Sequence, residues 1–72
     1  MQYTNEQIED MFTYHNDPEK VSRYRAINQA AILLFVAIQN NCPDSADRQA
    51  AFRMVREARM TANAAIALDG RY

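Results

Sequence analysis

The chain has very few of the residues that build crosslinked, metal-bound or membrane-spanning proteins. Its 72 residues include one cysteine, Cys42, and one histidine, His15. One cysteine cannot form an intramolecular disulfide, and one thiol with one imidazole is a poor ligand set for a metal. The longest apolar run, residues 30–38, is well short of the roughly 20 residues that a spanning helix needs. We therefore expect no disulfide, metal, cofactor or membrane span.

We also expect no secretory leader, because no basic segment followed by an apolar run stands at the start of the sequence. Together with the lone Cys42, this predicts a protein of the reducing cytoplasm. A chain this short seldom obtains more than about 3–5 kcal/mol from its own core. With disulfides and metals set aside, self-association is the remaining source of stability, and we expect a homo-oligomer.

Basic residues are absent from the first nineteen positions, which hold five acidic residues. The rest of the chain has eight cations and four acids, so its charge is 8 − 4 = +4, although the whole chain has a net charge of −1. A charge of this size can hold a compact anion. It is too weak and too dispersed for a duplex-binding surface, so we expect no duplex nucleic acid partner.

Glycine and proline, which interrupt helices, are scarce, so the sequence predicts helices joined by short turns. The residues that start these helices can be identified. Thr4 and Gln7 have the spacing of a capping box. Asp17 can cap a second helix, in which Pro18 suits the first position because no amide hydrogen is needed there. The ranges predicted for the helices are about 4–12, 18–40 and 45–68, in a single domain of residues 1–72.

The turn after the second helix predicts the topology. Pro43 ends that helix, and either Asp44 or Ser45 caps the third. Because the connection is short, the second and third helices should be antiparallel neighbours. The predicted fold is all-α, with a short N-terminal helix followed by an antiparallel two-helix hairpin that assembles into a homo-oligomer.

Apolar residues predict the packing faces of the hairpin. On the second helix they recur at three- and four-residue steps, and on the third helix small residues do so. Residues 30–38 are apolar on all sides, so a single partner helix cannot bury them and further chains should pack there. The two predicted faces are Val21, Tyr24, Ile27, Ala31, Leu34 and Ile38, and an alanine seam of Ala51, Val55, Ala58, Ala62 and Ala65.

Groups suited to catalysis are nearly absent. Nucleophilic or acid–base catalysis needs a paired base or a cluster of carboxylates, whereas this chain has His15, Cys42 and scattered acids. Cys42 lies beside a turn proline, with no second histidine to activate it. We therefore expect a binding protein and not an enzyme.

One face of the third helix carries a cationic stripe. Its members fall within roughly 80° of arc on an ideal helix. Guanidinium groups bind phosphate through two parallel hydrogen bonds, so the stripe can hold an anion. Equally, it can be a solvated face whose arginines pair with the acidic first helix. The arginine stripe consists of Arg48, Phe52, Arg56, Arg59 and Asn63.

A second cluster surrounds the start of the second helix and includes Tyr24 and Arg25. Tyr14 can stack on a nucleotide base, and Asn28 can contact a base edge or a phosphate. The alternative is that Phe12 and Tyr14 only seal the hairpin core.

Four short segments, in this order and spacing, resemble the helical hairpin shared by phage anti-CBASS nucleotide sponges and Thoeris anti-defence proteins. The resemblance covers about residues 8–68. The segments are Thr13-Tyr14-His15, then Arg23-Tyr24 with Ile27, then residues 42–48, and finally residues 56–67.

This resemblance implies a homo-oligomer, commonly a hexamer, that captures cyclic dinucleotides, cyclic trinucleotides or cyclic ADP-ribose isomers intact and so withholds them from an immune effector. For this chain it implies a nucleotide site at Tyr14, Pro18 and Asn28. Many relatives have a basic residue where this chain has Asn28, and Arg25 is the candidate to replace that charge. Arg48 matches a common family arginine, and we place it in the site because of the stripe.

The main alternative is a helical protein–protein interaction module that docks a host or phage protein. Met11, Met54 and Met60 would give such a module an adaptable surface. A nucleic-acid binder is a third alternative, which the negative net charge disfavours.

Overall fold

The computed structural model describes residues 2–12 and 17–71, and all regular structure within these residues is helical. The three predicted helices and the all-α class are thereby confirmed. The helices are α1 (Asn5–Phe12), α2 (Val21–Asn41), which follows a short 3-10 helix (Pro18–Lys20), and α3 (Ala46–Ala67).

The predicted capping box opens α1. The Thr4 amide donates to Gln7 Oε1 at 2.9 Å, and the Gln7 amide donates to Thr4 Oγ1 at 3.2 Å. At the start of α3 the sequence left two candidates, and the structure selects Ser45, whose Oγ accepts from the Arg48 amide at 3.2 Å. Both caps satisfy amide groups that lack partners in the first turn of a helix.

The start of the second helical segment differs from an ordinary α-helix. Asp17 caps it as predicted, with Oδ1 accepting from the Glu19 amide at 3.1 Å, and Pro18 occupies the first turn. The Lys20 amide then donates to the Asp17 carbonyl at 2.9 Å, which is a three-residue step. The first turn is therefore a 3-10 helix, and α2 itself begins at Val21.

Antiparallel packing of α2 and α3 forms the hairpin, and residues 42–45 connect the two helices. Near the connection, Phe35 and Phe52 stack with ring centroids 4.1 Å apart. Further away, Asn63 Nδ2 donates to Asn28 Oδ1 at 3.4 Å. The molecule is only 15 Å across in its thinnest dimension, so it is a single layer of helices.

The predicted packing faces need correction. Val21 and Leu34 are exposed, and Phe35 faces α3 instead of Leu34. On a straight helix, the residue four positions after Ala31 lies closer to the same face than the residue three positions after it. Phe35 therefore faces α3, and Leu34 does not. On α3, Ala58 and Ala65 of the expected alanine seam are exposed, while Phe52, Val55, Ala62 and Ile66 are buried or half-buried.

A lysine closes the open end of the hairpin. Lys20 is only 7% exposed, and its Nζ donates to the Ala67 carbonyl at 3.1 Å and to Asp69 Oδ2 at 3.3 Å. The cation therefore lies at the C-terminus of α3, where the helix dipole favours positive charge. After Leu68, Asp69 and Gly70 have φ values of 53° and 73°, and the Gly70 amide caps the helix by donating to the Ala65 carbonyl.

An ion pair holds α1 against the hairpin. Arg71 NH2 lies 2.8 Å from Asp10 Oδ2, and Arg71 Nε donates to the same oxygen at 3.0 Å. Met11 lines a hollow together with Ala64 and Leu68 of the C-terminal segment. The C-terminal turn thus contacts both α1 and, through Lys20, the start of α2.

Much of the apolar run at residues 30–38 is left uncovered by α3. Ile32 is 61% exposed and Leu33 71%, and Leu34 and Val36 are exposed as well. Val55, at 8% exposure, is the one buried apolar residue among the described residues, and even it is not fully buried. No helix in the described ranges is long and apolar enough to cross a membrane.

Candidate functional site

The groove between α2 and α3 is the candidate binding site. It has a volume of about 350 Å³, at the lower end of the roughly 300–1,000 Å³ typical of small-molecule sites. Its floor is apolar and its edges are polar, a combination that suits a ligand with both a flat ring and a charge. The α2–α3 groove is lined by Asn28, Ala31, Ile32, Phe35, Val55, Arg56 and Arg59.

Helix periodicity explains the groove. Arg59 follows Val55 by four residues, so it lies on the face of α3 that points towards α2. On α2, Ala31 occupies the inward position four residues before Phe35 and has too small a side chain to fill the space opposite. An apolar floor with a cationic wall results.

Neither Arg56 nor Arg59 pairs with a carboxylate among the described residues. Across residues 2–12 and 17–71, the ion pairs of arginine involve Arg48 and Arg71. Asp10 of the acidic first helix pairs with Arg71, which lies outside the arginine stripe. The stripe is therefore not neutralised by α1 at Arg56 and Arg59, and both guanidinium groups line the groove.

Asn28 lies at the α2 side of the groove and is half-buried. Its Oδ1 accepts from Asn63 Nδ2 at 3.4 Å. Asn63 Oδ1 is buried without a hydrogen-bond partner among the described residues. The structure therefore brings Asn28 together with Arg56 and Arg59. The sequence pattern had assigned the two arginines to the stripe and had not connected them with Asn28.

Arg48 lies elsewhere. It caps the connection end of the hairpin, with NH1 3.8 Å from Asp44 Oδ1 and Cζ 5.2 Å from the centre of the Phe52 ring. Its Nε is buried without a hydrogen-bond partner in the described part of the chain. Arg59 follows Arg48 by eleven positions, which corresponds to about 16 Å along α3. Within one chain, Arg48 does not share the groove with Asn28.

The other predicted site residues lie outside the groove or outside the described residues. Pro18 is exposed in the 3-10 helix, and Arg25 is exposed on α2 without lining the groove. Tyr14 belongs to residues 13–16, which are not among those described.

Sequence reasoning placed Arg56 and Arg59 in a cationic stripe but did not include them among the site residues. The available signal was their spacing from Val55, which puts Arg59 on the inward face. The missing information was the register of the hairpin, because only the pairing of α2 with α3 shows that Asn28 faces this part of the stripe.

Metal and acid–base chemistry have little support in the described residues. No three histidine, cysteine, aspartate or glutamate residues there come close enough to hold a metal ion. The polar side chains of the groove are one carboxamide and two guanidinium groups. They can donate hydrogen bonds to phosphate oxygens and to acceptor atoms of a base.

Comparison with known proteins gives one match. The model of the family described as "Acb2/Tad1, hairpin domain" matches residues 4–67, from the cap of α1 to the end of α3. The chain belongs to this family. The resemblance seen in the sequence is thereby confirmed. No curated protein and no solved structure matches the chain significantly.

Membership of the Acb2/Tad1 family gives the chain a function at the family level. The family consists of anti-CBASS and anti-Thoeris sponge proteins, which sequester cyclic nucleotide signals and are not enzymes. The α2–α3 groove, whose two arginines have no carboxylate partner among the described residues, lies within the segment that the family model matches.

Proposed function

We propose that the chain is an anti-defence sponge that binds cyclic nucleotide immune signals in the cytoplasm of an infected bacterial cell and does not cleave them. Its ligands are cyclic dinucleotides or cyclic trinucleotides, with cyclic ADP-ribose isomers as a further class. By holding the signal, the protein starves the host's immune effector.

One observation carries this proposal: Arg56 and Arg59 face an apolar groove with no carboxylate paired to either of them in the described residues. An unpaired guanidinium beside apolar surface binds a phosphate strongly, because no carboxylate partner has to be displaced from it first. The floor, which includes Phe35, offers apolar area to a base. A nucleotide phosphate and base would be held on adjacent surfaces.

A second copy of the chain completes the site. Ile32 lines the groove yet remains 61% exposed, so the apolar surface continues beyond it. Residues from another protomer would cover the ligand there, and Tyr14, Pro18, Arg25 and Arg48 are the candidates for that contribution. Because Arg48 is about 16 Å along α3 from Arg59, it would reach the ligand from a neighbouring chain. We propose a hexamer as the assembly.

Binding without cleavage is supported by the composition of the groove. Asn28, Arg56 and Arg59 do not act as general bases near neutral pH, and no carboxylate or imidazole lines the groove in the described residues. Sequestration requires only that the dissociation constant lie below the signal concentration. Micromolar affinity corresponds to about 8 kcal/mol, which a small set of charged and stacking contacts can supply.

The test is calorimetry on the purified protein with cyclic di-GMP, cyclic di-AMP, cyclic tri-AMP and cyclic ADP-ribose isomers, followed by heat denaturation and mass analysis of the released ligand. We expect saturable binding of at least one ligand and its recovery with unchanged mass. Failure of the whole panel to bind would overturn the proposal. Recovery of a linear product would make the protein an enzyme.

A helical protein–protein interaction module is the second candidate, favoured by the exposed Leu33 and by the exposed methionines Met54 and Met60. Light scattering during gel filtration distinguishes the two. A closed homo-oligomer formed by the purified chain supports the sponge. A chain that stays monomeric until a protein partner is added supports the module.

A further inference from the structure

The hydrogen bond between Asn63 and Asn28 fixes which end of the Asn28 carboxamide faces the groove. Asn63 Nδ2 donates to Asn28 Oδ1 at 3.4 Å, and both residues are half-buried. Asn28 lines the groove, whereas Asn63 lies behind it, one turn beyond Arg59. With its oxygen occupied, Asn28 has its NH2 group left for a ligand.

The reverse arrangement is disfavoured by the burial of Asn63. If Asn28 Nδ2 donated to Asn63 Oδ1, the Asn63 NH2 group would take the buried position where Oδ1 now lies without a partner. A buried N–H donor without a partner is rarer in proteins than a buried carbonyl without one. The observed pairing therefore leaves the less costly group unsatisfied.

As a result, the polar side chains that line the groove all present donors. Arg56 and Arg59 have no acceptor atoms, and the oxygen of Asn28 is turned towards Asn63. Such a lining matches phosphate oxygens and the guanine edge that carries O6 and N7, both of which are acceptors. Adenine places an N6 amino donor on the corresponding edge, and this donor would meet another donor.

We propose that Asn63 is a positioning residue that holds Asn28 as a hydrogen-bond donor and so makes the groove select guanine over adenine in its cyclic nucleotide ligand. The proposal rests on the proposed function, since it concerns the same groove. It goes further by assigning base selectivity to a residue that does not itself line the groove.

The experiment compares cyclic di-GMP with cyclic di-AMP by calorimetry on the full chain. A good base-edge contact discriminates by about 1–3 kcal/mol, so we expect the wild-type protein to bind cyclic di-GMP at least roughly five-fold more tightly. Asn63→Leu removes the donor and frees Asn28 to turn, and the preference should fall towards unity. Asn63→Asp accepts from the Asn28 NH2 group, turns its oxygen into the groove, and should lower the preference further.

Two further variants separate positioning from general disruption. Asn63→Gln keeps a donor and should retain most of the guanine preference, while Asn40→Leu, an exposed carboxamide at the end of α2, should leave it unchanged. The ratio of the two dissociation constants is the readout, because a merely structural defect weakens both ligands alike.

Equal wild-type affinities would overturn the inference while leaving the sponge intact, and so would an Asn63→Leu protein that binds with the wild-type ratio. If Asn63→Leu does not fold, the wild-type ratio and Asn63→Asp decide the question. If the wild-type protein binds no cyclic nucleotide at all, the proposed function itself fails and this inference fails with it.

Discussion

Phe35 and Phe52 stack across the hairpin, with ring centroids 4.1 Å apart and an angle of 17° between the ring planes. They lie at the connection end of the groove, whose lining includes Phe35, and Arg48 stands over the Phe52 ring at 5.2 Å. The pair therefore joins α2 to α3 on one side of the candidate site.

Truncating this aromatic pair should destabilise the hairpin. Phe52→Ala removes the stack and the arginine contact, and we expect a loss of roughly 2–4 kcal/mol, somewhat below the range for fully buried phenylalanines. Urea denaturation at one protein concentration measures the loss. Phe12→Ala, at a phenylalanine that is 86% exposed, is the matched control and should change the unfolding free energy by less than about 0.5 kcal/mol. Equal effects of the two variants would contradict the prediction.

Replacement of the buried lysine should also be costly. Lys20→Met leaves the Ala67 carbonyl without its donor at the end of α3, and we expect a loss of roughly 1–3 kcal/mol in unfolding free energy. Asp69→Asn removes the exposed carboxylate that pairs with Lys20 and with Arg71, and it should cost less than about 1 kcal/mol, because exposed ion pairs contribute little. Thermal melts of the two variants should rank them in this order, and the opposite ranking would mean that the carboxylate is the important partner.

Loss of the Arg71 ion pair should release α1 without unfolding the hairpin. In Arg71→Gln the contact to Asp10 is weakened, so amide hydrogen exchange should become faster in α1 and stay unchanged in α2 and α3. Glu6→Gln, an exposed position on the same helix, serves as the control. Faster exchange throughout the chain would show instead that Arg71 supports the whole fold.

Neutralising the groove arginines should weaken nucleotide binding. Arg56→Gln and Arg59→Gln each remove one guanidinium, and we expect each to lower the affinity roughly ten-fold or more, in line with charge-assisted contacts of about 1.5–3 kcal/mol. Arg23→Gln changes the net charge equally at an exposed position of α2 that does not line the groove, and should have little effect. Calorimetry with whichever cyclic nucleotide the wild-type protein binds best provides the measurement. Equal losses in all three variants would indicate that only net charge matters.

A charge on the exposed apolar run should prevent self-association. Leu33 is 71% exposed, so Leu33→Lys should leave the hairpin folded while shifting the protein to monomer. Gln29→Lys introduces the same charge one turn earlier, at a residue that is already polar and exposed, and should leave the assembly intact. Light scattering gives the mass of each species, and an unchanged oligomer in Leu33→Lys would place the interface elsewhere.

Local signals were readable from the sequence because they depend on neighbouring residues. The capping box of Thr4 and Gln7 and the Asp17-Pro18 start each need only three or four residues in a row. Apart from the 3-10 turn at Pro18–Lys20, the helices begin and end within one residue of the predicted positions.

Long-range relationships were not readable in the same way. Whether Leu34 or Phe35 faces inward depends on how far α2 is rotated about its axis relative to α3. The periodicity of apolar residues determines this rotation only to within a fraction of a turn. The contact between Lys20 and Ala67 joins residues far apart in the chain, and no local pattern marks it. The grouping of Asn28 with Arg56 likewise required the register of the hairpin.

The groove lies between two fixed points, the stacked phenylalanines on one side and the Lys20 contact with the end of α3 on the other. Because both helices are fastened beyond the groove, its width is set before any ligand arrives. For the proposed sponge this means that capture needs little rearrangement of the hairpin, so the loss of conformational freedom on binding is small and association can approach the encounter rate. A sponge has to outpace an effector for the same signal, and a preformed groove favours speed of capture as much as tightness.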